Sequence, residues 1–548
     1  MTLNKKGWFF HRNLWFMILA MVALGCAVQQ RPQGGPRDRE PPKLLKATPP
    51  NSTRNFTAKE IKLDFDEYFK LNSQFQEITV FPASDKIPDF KIRQKSLVID
   101  LKDTLQKNTT YVINFGKAIG DVNENNILKN FTYVFSTGNH IDSLSMGGTV
   151  INTQTGLKEK DITVMLFTLK QDSLLFGKKK PSIYTTTDSL GNFTLKNLKE
   201  GVYKIYALKE QSPDKIYNND NELIGFSTRL INFTHDTSTI SLKLFRQAPT
   251  KQRFVDRKFT NDGAMMFTFN KPLVKPSARI LYPPGLDEQK IIDFTRTGDT
   301  AMVYSKNMDF DSIRVAFFEN NKPIDTTSLR KGRKEAFQRN LAFRFGISST
   351  NQLKPGNDLR IYSSLPIEPF DPTLITLKED SNQVNYTLTK DTGKTDKNFV
   401  MKYRWRQKVG YTLILEPGAF TDIYGDKNKR KVQKFTINQP ENYSNLTLKL
   451  TVPDSSKMYV VELLNDQNIP LRSDVITKKT TLTYRNYYVG KFTLRVTYDD
   501  NRNGKWDSGN IKEGRQPENI WVYDKPFTLR PNWESEEAVD IPKEVITP

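Results

Sequence analysis

The chain has 548 residues, a formal net charge of +21, three histidines and one cysteine. This length suggests several domains, because a domain usually holds about 100–200 residues. Three histidines and one cysteine are too few for a histidine–cysteine metal cluster, and the sequence has no phosphate-binding loop or nucleophile-elbow motif. Catalysis by paired carboxylates stays open, because 61 acidic residues offer many pairings.

The N-terminal segment combines positive charge with a short apolar run. Lys5, Lys6 and Arg12 precede eleven apolar residues, 14–24. A bilayer span needs about 20 such residues, so this run is too short to cross. A basic start, a short apolar stretch and small residues at its end are typical of a secretory signal.

The end of that run, Ala23-Leu24-Gly25-Cys26, resembles the lipobox of bacterial lipoproteins. The resemblance implies that residues 1–25 are removed and that Cys26 carries lipid on its sulfur and amine. Two or more acyl chains hold a protein firmly to a membrane, whereas one does so only marginally. The alternative is an ordinary signal peptide with an incidental cysteine. We therefore expect an outer-membrane lipoprotein of the cell envelope, facing the periplasm or the cell surface, with residues 26–42 as the lipidated cysteine and a flexible tether.

From residue 43 onward the sequence alternates apolar and polar positions over short stretches. Ile61, Leu63 and Phe65 alternate with charged residues, and similar stretches recur about every ten positions between turn residues. This alternation predicts an all-β chain of antiparallel β-sandwiches. The nearest candidate for a helix is the segment 330–345.

The first module carries a family signature. An entry at residues 40–51 and a strand at 61–68 precede a closing hairpin formed by residues 111–115, 121–126 and 131–137. These segments resemble the bacterial Ig-like domain family named after an S-layer protein. The resemblance implies an Ig-like β-sandwich over residues 43–138.

The next module has a different signature, carried by residues 187–195 and 197–203. It resembles carboxypeptidase-regulatory or prealbumin-like β-sandwiches, which are usually rigid, noncatalytic spacers. Asp188 and Gly191 suit a tight turn, and Gly201 suits the next reversal. We assign this module to residues 145–247.

The chain then repeats both signatures in the same order. Tyr411, Asp422 and Phe435 match Tyr111, Asp121 and Phe131, and residues 490–496 match residues 201–207. The predicted modules are a diverged Ig-like domain at 250–340, a second Ig-like sandwich at 341–438 and a second prealbumin-like sandwich at 443–545. We expect five modules in series, each with core contacts of its own, so that a fragment covering residues 40–245 folds alone.

One loop has the residue types of a metal site. Asp499, Asn501, Asn503 and Asp507, with Gly504 among them, resemble an EF-hand or dockerin loop. Oxygen ligands at this spacing suit calcium, the one cofactor that the sequence suggests. Position 12 is Asn510 rather than glutamate, and a strand rather than a helix precedes the loop. The alternative is a hairpin loop with a turn at Asn503-Gly504 and Trp506 anchored in the core.

The sequence favours a noncatalytic, membrane-anchored β-sandwich scaffold, or an adhesion and interaction rod, over an enzyme. Its partners are expected to be the membrane, through lipid, and an envelope protein or an anionic glycan, because basic surfaces attract anions. Nucleic acid is not expected for an exported chain. The alternative function is a carboxylate-dependent enzyme that modifies carbohydrate or peptidoglycan.

Overall fold

The computed structural model describes residues 37–83, 86–219, 221–295, 297–332, 337–391 and 396–544. The signal segment and Cys26 lie outside these ranges. The described residues form 43 strands and two short α-helices, α1 (Gln74–Glu77) and α2 (Leu169–Leu175). The predicted all-β class is therefore confirmed. The chain divides into two compact units, residues 1–142 (unit 1) and 143–548 (unit 2).

Unit 1 is a sandwich of antiparallel sheets. One sheet has the order β1-β2-β6-β5, a second has the order β4-β7-β9, and β3 pairs with β8. The strands are β1 (Leu44–Thr48), β2 (Glu60–Phe65), β3 (Phe69–Leu71), β4 (Thr79–Phe81), β5 (Asp89–Arg93), β6 (Ser96–Asp100), β7 (Thr110–Asn114), β8 (Ile119–Asp121) and β9 (Thr132–Ser136).

The core of unit 1 follows the alternation in the sequence. Ile61, Leu63 and Phe65 on β2 are buried, while Lys62 between them is exposed. Successive strand residues point to opposite faces, so one face enters the core and the other meets water. Full burial of one such side chain contributes about 1.5–3 kcal/mol. Tyr111 and Phe135 stack with their ring centroids 5.2 Å apart and join β7 to β9 inside this core.

Unit 2 begins with a module built on one large sheet. Its strands are β10 (Leu144–Asn152), β11 (Thr163–Thr168), β12 (Ile183–Thr186), β13 (Asn192–Leu198), β14 (Gly201–Lys209), β15 (Leu223–Phe226), β16 (Ile231–Phe233) and β17 (Thr237–Arg246). The order is β12-β11-β14-β15-β17-β10-β13, and β16 also pairs with β14. The first and last strands, β10 and β17, run parallel.

The last module of unit 2 repeats this pairing. Its strands are β36 (Tyr443–Thr451), β37 (Met458–Leu464), β38 (Pro470–Ile476), β39 (Thr480–Tyr488), β40 (Gly490–Asp499), β41 (Ile520–Val522), β42 (Phe527–Leu529) and β43 (Glu534–Asp540). The orders are β39-β36-β43 and β38-β37-β40-β41, with β42 on β40. Its first and last strands, β36 and β43, are again parallel.

Two further β-sheet modules lie between these in the sequence. The first consists of β18 (Phe254–Phe259), β19 (Met265–Phe269), β20 (Pro276–Tyr282), β21 (Lys290–Phe294), β22 (Thr300–Ser305), β23 (Ser312–Glu319) and β24 (Lys322–Arg330). The second consists of β25 (Phe343–Phe345), β26 (Gln352–Leu353), β27 (Leu359–Ser363), β28 (Ile367–Phe370), β29 (Ile375–Glu379), β30 (Asn382–Val384), β31 (Thr387–Lys390), β32 (Asn398–Lys402), β33 (Gly410–Leu415), β34 (Phe420–Asp422) and β35 (Lys431–Ile437).

Both middle modules use the strand orders of unit 1. The orders β18-β19-β22-β21 and β25-β27-β32-β31 correspond to β1-β2-β6-β5. The repeat extends to single hydrogen bonds, because the hydroxyl of Tyr111 accepts from the N–H of Gln106 at 2.8 Å and that of Tyr411 accepts from Arg406 at 2.7 Å. Tyrosines at equivalent positions thus fix equivalent loops, five residues upstream, in the two modules.

Two expectations about local structure and arrangement do not hold. The described part of the candidate helix at 330–345 contains the end of β24 and all of β25, with no helix. The modules of unit 2 are also not strictly in series, because the first and last modules contact each other, as shown below. No helix among the described residues has the length and apolar character needed to cross a bilayer.

We expect a fragment covering residues 38–142 to fold alone. All the described side chains of its core cluster come from residues 44–135, so removing unit 2 exposes none of the contacts within that cluster. Circular dichroism of this fragment should show a β-type spectrum and one cooperative thermal transition. A broad transition without cooperativity would show that unit 1 needs the rest of the chain.

Candidate functional site

The loop that the sequence singled out connects β40 to β41. Its first residue, Asp499, ends β40 and is 2% exposed. Its Oδ1 accepts the N–H of Asn503 at 3.1 Å, and its Oδ2 accepts that of Gly504 at 2.7 Å. Gly504 has a φ of +74°, in the left-handed region that favours glycine. The carboxylate of Asp499 therefore closes a tight turn at Asn503-Gly504.

The structure brings the four predicted calcium ligands into one hydrogen-bonded group. Asn503 donates its side-chain amide to Asp507 Oδ2 at 2.6 Å, and Asn501 donates to the same oxygen. In this arrangement the oxygens of Asp499 and Asp507 are acceptors for amides of the chain itself. Among the described residues, no group of three or more His, Cys, Asp or Glu side chains is placed to hold a metal ion. Calcium binding by the loop stays a prediction.

A fifth residue, Glu518, organises the loop, and the sequence analysis missed it. Glu518 Oε1 accepts the N–H of Asp500 at 3.0 Å, and Oε2 accepts that of Asp507 at 2.9 Å. Its own carbonyl accepts the indole N–H of Trp506 at 3.0 Å. One residue thereby holds both ends of the turn through its side chain, and it holds the ring of Trp506 through its backbone carbonyl.

Burial raises the pKa of the Glu518 carboxyl, and the nearby charges of Asp507 and Asp499 raise it further, while the two backbone amides act in the opposite direction. A carboxyl whose pKa is raised by folding costs stability when ionised. That cost is present above the folded pKa and disappears as the pH falls towards the pKa of the unfolded chain.

The first module of unit 2 contains an equivalent glutamate. Glu222 lies just before β15, as Glu518 lies just before β41, and its carboxylate accepts the N–H groups of Gln211, Asn218 and Asn219 at 3.2–3.3 Å. The loop before Glu222 has lost most of the oxygen side chains of the later loop. A buried glutamate therefore organises this connection in both modules, with or without those oxygens. The repeated position was the sequence signal that could have revealed it.

The tip of the loop packs against the first module of unit 2. Trp506 and Ile511 lie against a buried cluster of that module that includes Met165, Phe167 and Phe245. Gly509 is required at the contact, because a Cβ there would lie 2.6 Å from Phe245 Cζ. Trp506 was predicted to anchor the loop in a core. The core that it packs against belongs to the first module of unit 2, more than 250 residues earlier in the sequence.

Polar contacts complete this interface, which we call the closure contact. The N–H of Ile511 donates to Gln247 Oε1 at 2.8 Å, and the N–H of Ala248 donates to Ser508 Oγ at 3.0 Å. Gln516 Nε2 donates to the carbonyl of Phe226 at 2.7 Å. Residues of the last module thus complete the core of residues 145–247. We expected a fragment covering residues 40–245 to contain all its core contacts, and that premise is wrong.

The middle modules are joined in a similar way, through shared apolar residues. Ala264 and Tyr304 of the first belong to the buried cluster of the second, and Lys397 links the two through bonds to Asp293 at 3.0 Å and to the hydroxyl of Tyr304 at 3.0 Å. Lys354 of the second lies 5.5 Å from the ring of Tyr487 in the last module. Unit 2 is therefore one packed body.

The comparisons with known proteins support the first assignment. Residues 38–137 match the bacterial Ig-like domain family. Among curated protein sequences, none matches this chain. The boundaries of the other predicted modules stay predictions.

Solved structures with some similarity include the major pilin subunit of Bacillus cereus, at 9% identity over 73% of this chain and 99% of that one, with a TM-score of 0.13. The match to the S-layer protein SbsC covers 89% of this chain and 67% of the SbsC chain, at 10% identity and a TM-score of 0.14. The match to an L,D-transpeptidase from Mycobacterium smegmatis covers 37% of this chain and 90% of the transpeptidase chain, at 8% identity and a TM-score of 0.14. Similarity at this level carries no functional argument.

We expect Trp506→Ala in the full chain to loosen the first module of unit 2. Removing a packed tryptophan costs about 3 kcal/mol, and here part of the loss falls on β11 and β14. Hydrogen exchange should therefore accelerate in β11 and β14, with Gly509→Ala giving the same regional effect. The matched control is Trp533→Ala, because Trp533 is 55% exposed. Unchanged exchange in β11 and β14 would contradict the role of the closure contact.

The calcium prediction has its own test. If the loop binds calcium, millimolar calcium should raise the melting temperature of the full chain above its value in chelator, because a ligand that binds only the folded state stabilises it. Asp499→Ala with Asp507→Ala should abolish the rise. Equal melting temperatures in both buffers would leave a hairpin loop held by Asp499 and Glu518.

Proposed function

We propose that the chain is a noncatalytic, membrane-anchored scaffold of the bacterial cell envelope. The coarse part of this proposal has direct support, since the chain is a multi-domain β-sandwich protein that begins with a bacterial Ig-like domain. The anchor at Cys26, the outer-membrane location and the lack of catalysis are the proposed parts.

The observation that carries the noncatalytic role is the use of buried acids. Among the described residues, seven acidic side chains are buried, and each accepts at least one hydrogen bond from the chain. They are Glu77, Asp121, Glu222, Glu379, Asp422, Asp499 and Glu518. Six of them accept from backbone N–H groups, so they hold turns and loops in place.

Asp121 and Glu379 illustrate this structural use. Asp121 accepts the N–H groups of Glu124, Asn125 and Asn126 at 2.7–2.9 Å. Glu379 is bound by Arg406, and it accepts the hydroxyl protons of two tyrosines in the same module. The hydrogen bond and charge of Arg406 lower the pKa of Glu379. A carboxylate held in this way stays ionised and bonded, so it has no proton to donate as a general acid.

The packed body of unit 2 supports a mechanical role. Its first and last modules are joined by the closure contact, and its middle modules share a core. Such a body can present loops and sheet edges at fixed positions to an envelope protein or an anionic glycan, the partners that the basic composition favours. A pull-down from solubilised membranes, with the mature chain as bait, would identify the partner.

The test of the anchor is Cys26→Ala in the full-length chain, expressed in a bacterium with a lipoprotein pathway. The parent should enter the detergent phase of a Triton X-114 separation and the membrane fraction, because it carries two or more acyl chains. The variant should lose both properties. Met17→Leu, which keeps the apolar run and the lipobox, is the matched control. A Cys26→Ala chain that still partitions like the parent would rule out the lipid anchor.

A further inference from the structure

A groove of about 500 Å³ lies between the first and last modules of unit 2, beside the closure contact. One wall is the turn that follows β10 together with Ser241 and Lys243 of β17. The other wall is formed by residues 519–524, Tyr498 and the segment Pro542–Lys543. Sites for small ligands usually have volumes of about 300–1,000 Å³ and often lie between domains. We call this space the inter-module groove.

The surface of the inter-module groove is largely apolar and aromatic. Trp521, Tyr523 and Tyr498 line the last module's side, with the rings of Trp521 and Tyr523 5.6 Å apart in an edge-to-face arrangement. Leu157 lies on the opposite side and is 65% exposed. The free energy falls when an apolar ligand displaces water from such a surface, so binding is favoured.

Lys243 is a charged side chain within this largely apolar lining, and it has no direct ion pair with an acidic side chain among the described residues. Its ammonium donates to the side-chain carbonyl of Asn519, a neutral group, and it makes no ion pair among the described residues. Asn519 in turn donates to Glu544. Glu544 also binds Lys457 at 2.8 Å, and Lys457 lies 3.9 Å from Asp500, so Lys243 shares the charge of Glu544 with a second lysine.

Burial makes the positive charge of Lys243 costly to the folded protein. Burial lowers the pKa of the Lys243 ammonium, and the charge of Glu544 acts against that effect. Lys543 adds a second positive charge to the groove, while Asp524 is the one acidic residue in its lining. A half-buried ammonium without a direct ion pair is stabilised by an anion that reaches it.

We propose that the inter-module groove binds a small amphiphilic anion, an apolar molecule that carries one carboxylate or phosphate group. The anionic group pairs with Lys243, and the apolar body lies along Trp521, Tyr523 and Leu157. This site is separate from the calcium loop and does not depend on the scaffold role. The ligand would bridge the two modules and strengthen their contact.

Isothermal titration of the mature full chain tests the proposal. The Cys26→Ala form is used, so that no attached lipid can enter the groove. The probes are decanoate and decyl phosphate, each below its micellar concentration, and neutral decanol below its solubility limit. The variants are Lys243→Met, which keeps the apolar stem, and Lys243→Arg, which keeps the charge. Lys251→Met, on an exposed lysine outside the groove, is the matched control.

We expect decanoate to bind the parent at least about tenfold more tightly than decanol, because a hydrogen bond to a charged group is worth about 1.5–3 kcal/mol. Lys243→Met should remove that difference, while Lys243→Arg and Lys251→Met should retain it. Binding of decyl phosphate alone, with the same dependence on Lys243, would support a phosphate-bearing ligand. No binding by either anion, or equal binding of decanol by the parent, would overturn the proposal even if Lys243→Met failed to fold.

Discussion

The organisation of unit 2 depends on one buried carboxylate and the loop that it holds. Glu518 accepts two backbone N–H groups across the turn and also positions Trp506 through its own carbonyl. Trp506 then covers the apolar cluster of a module far earlier in the sequence. Without these bonds, the long connection between β40 and β41 would keep the turn closed by Asp499 but lose the contacts that position Trp506 against the first module.

Much of the fold could be predicted from the sequence, because strand alternation and turn residues are local signals. The alternation around Leu63 gave both the strand and its buried face, and the repeat of Tyr111 by Tyr411 extends to the same hydrogen bond. The closure contact could not be predicted in this way. The size and apolar character of Trp506 predict that it is packed against a core. A single sequence does not say which module that core belongs to.

The candidate site was predictable in its residues but not in their roles. The spacing of Asp499, Asn501, Asn503 and Asp507 resembles that of a metal loop, and the structure does bring them together. What spacing could not reveal is that amides of the same chain already occupy their oxygens. Glu518 lies outside the motif. Within the sequence, only the equivalent position of Glu222 in the earlier module could have pointed to its role in holding the loop.

The closure contact also has a consequence for the way this protein is made. Strands β11 and β14 emerge from the ribosome long before Trp506 and Ile511 do. Until those residues arrive, the Met165–Phe167 face of the nascent chain stays open to water and to neighbouring chains, a state that favours aggregation. The first module of unit 2 can therefore complete its core only after the C-terminal module has been synthesised.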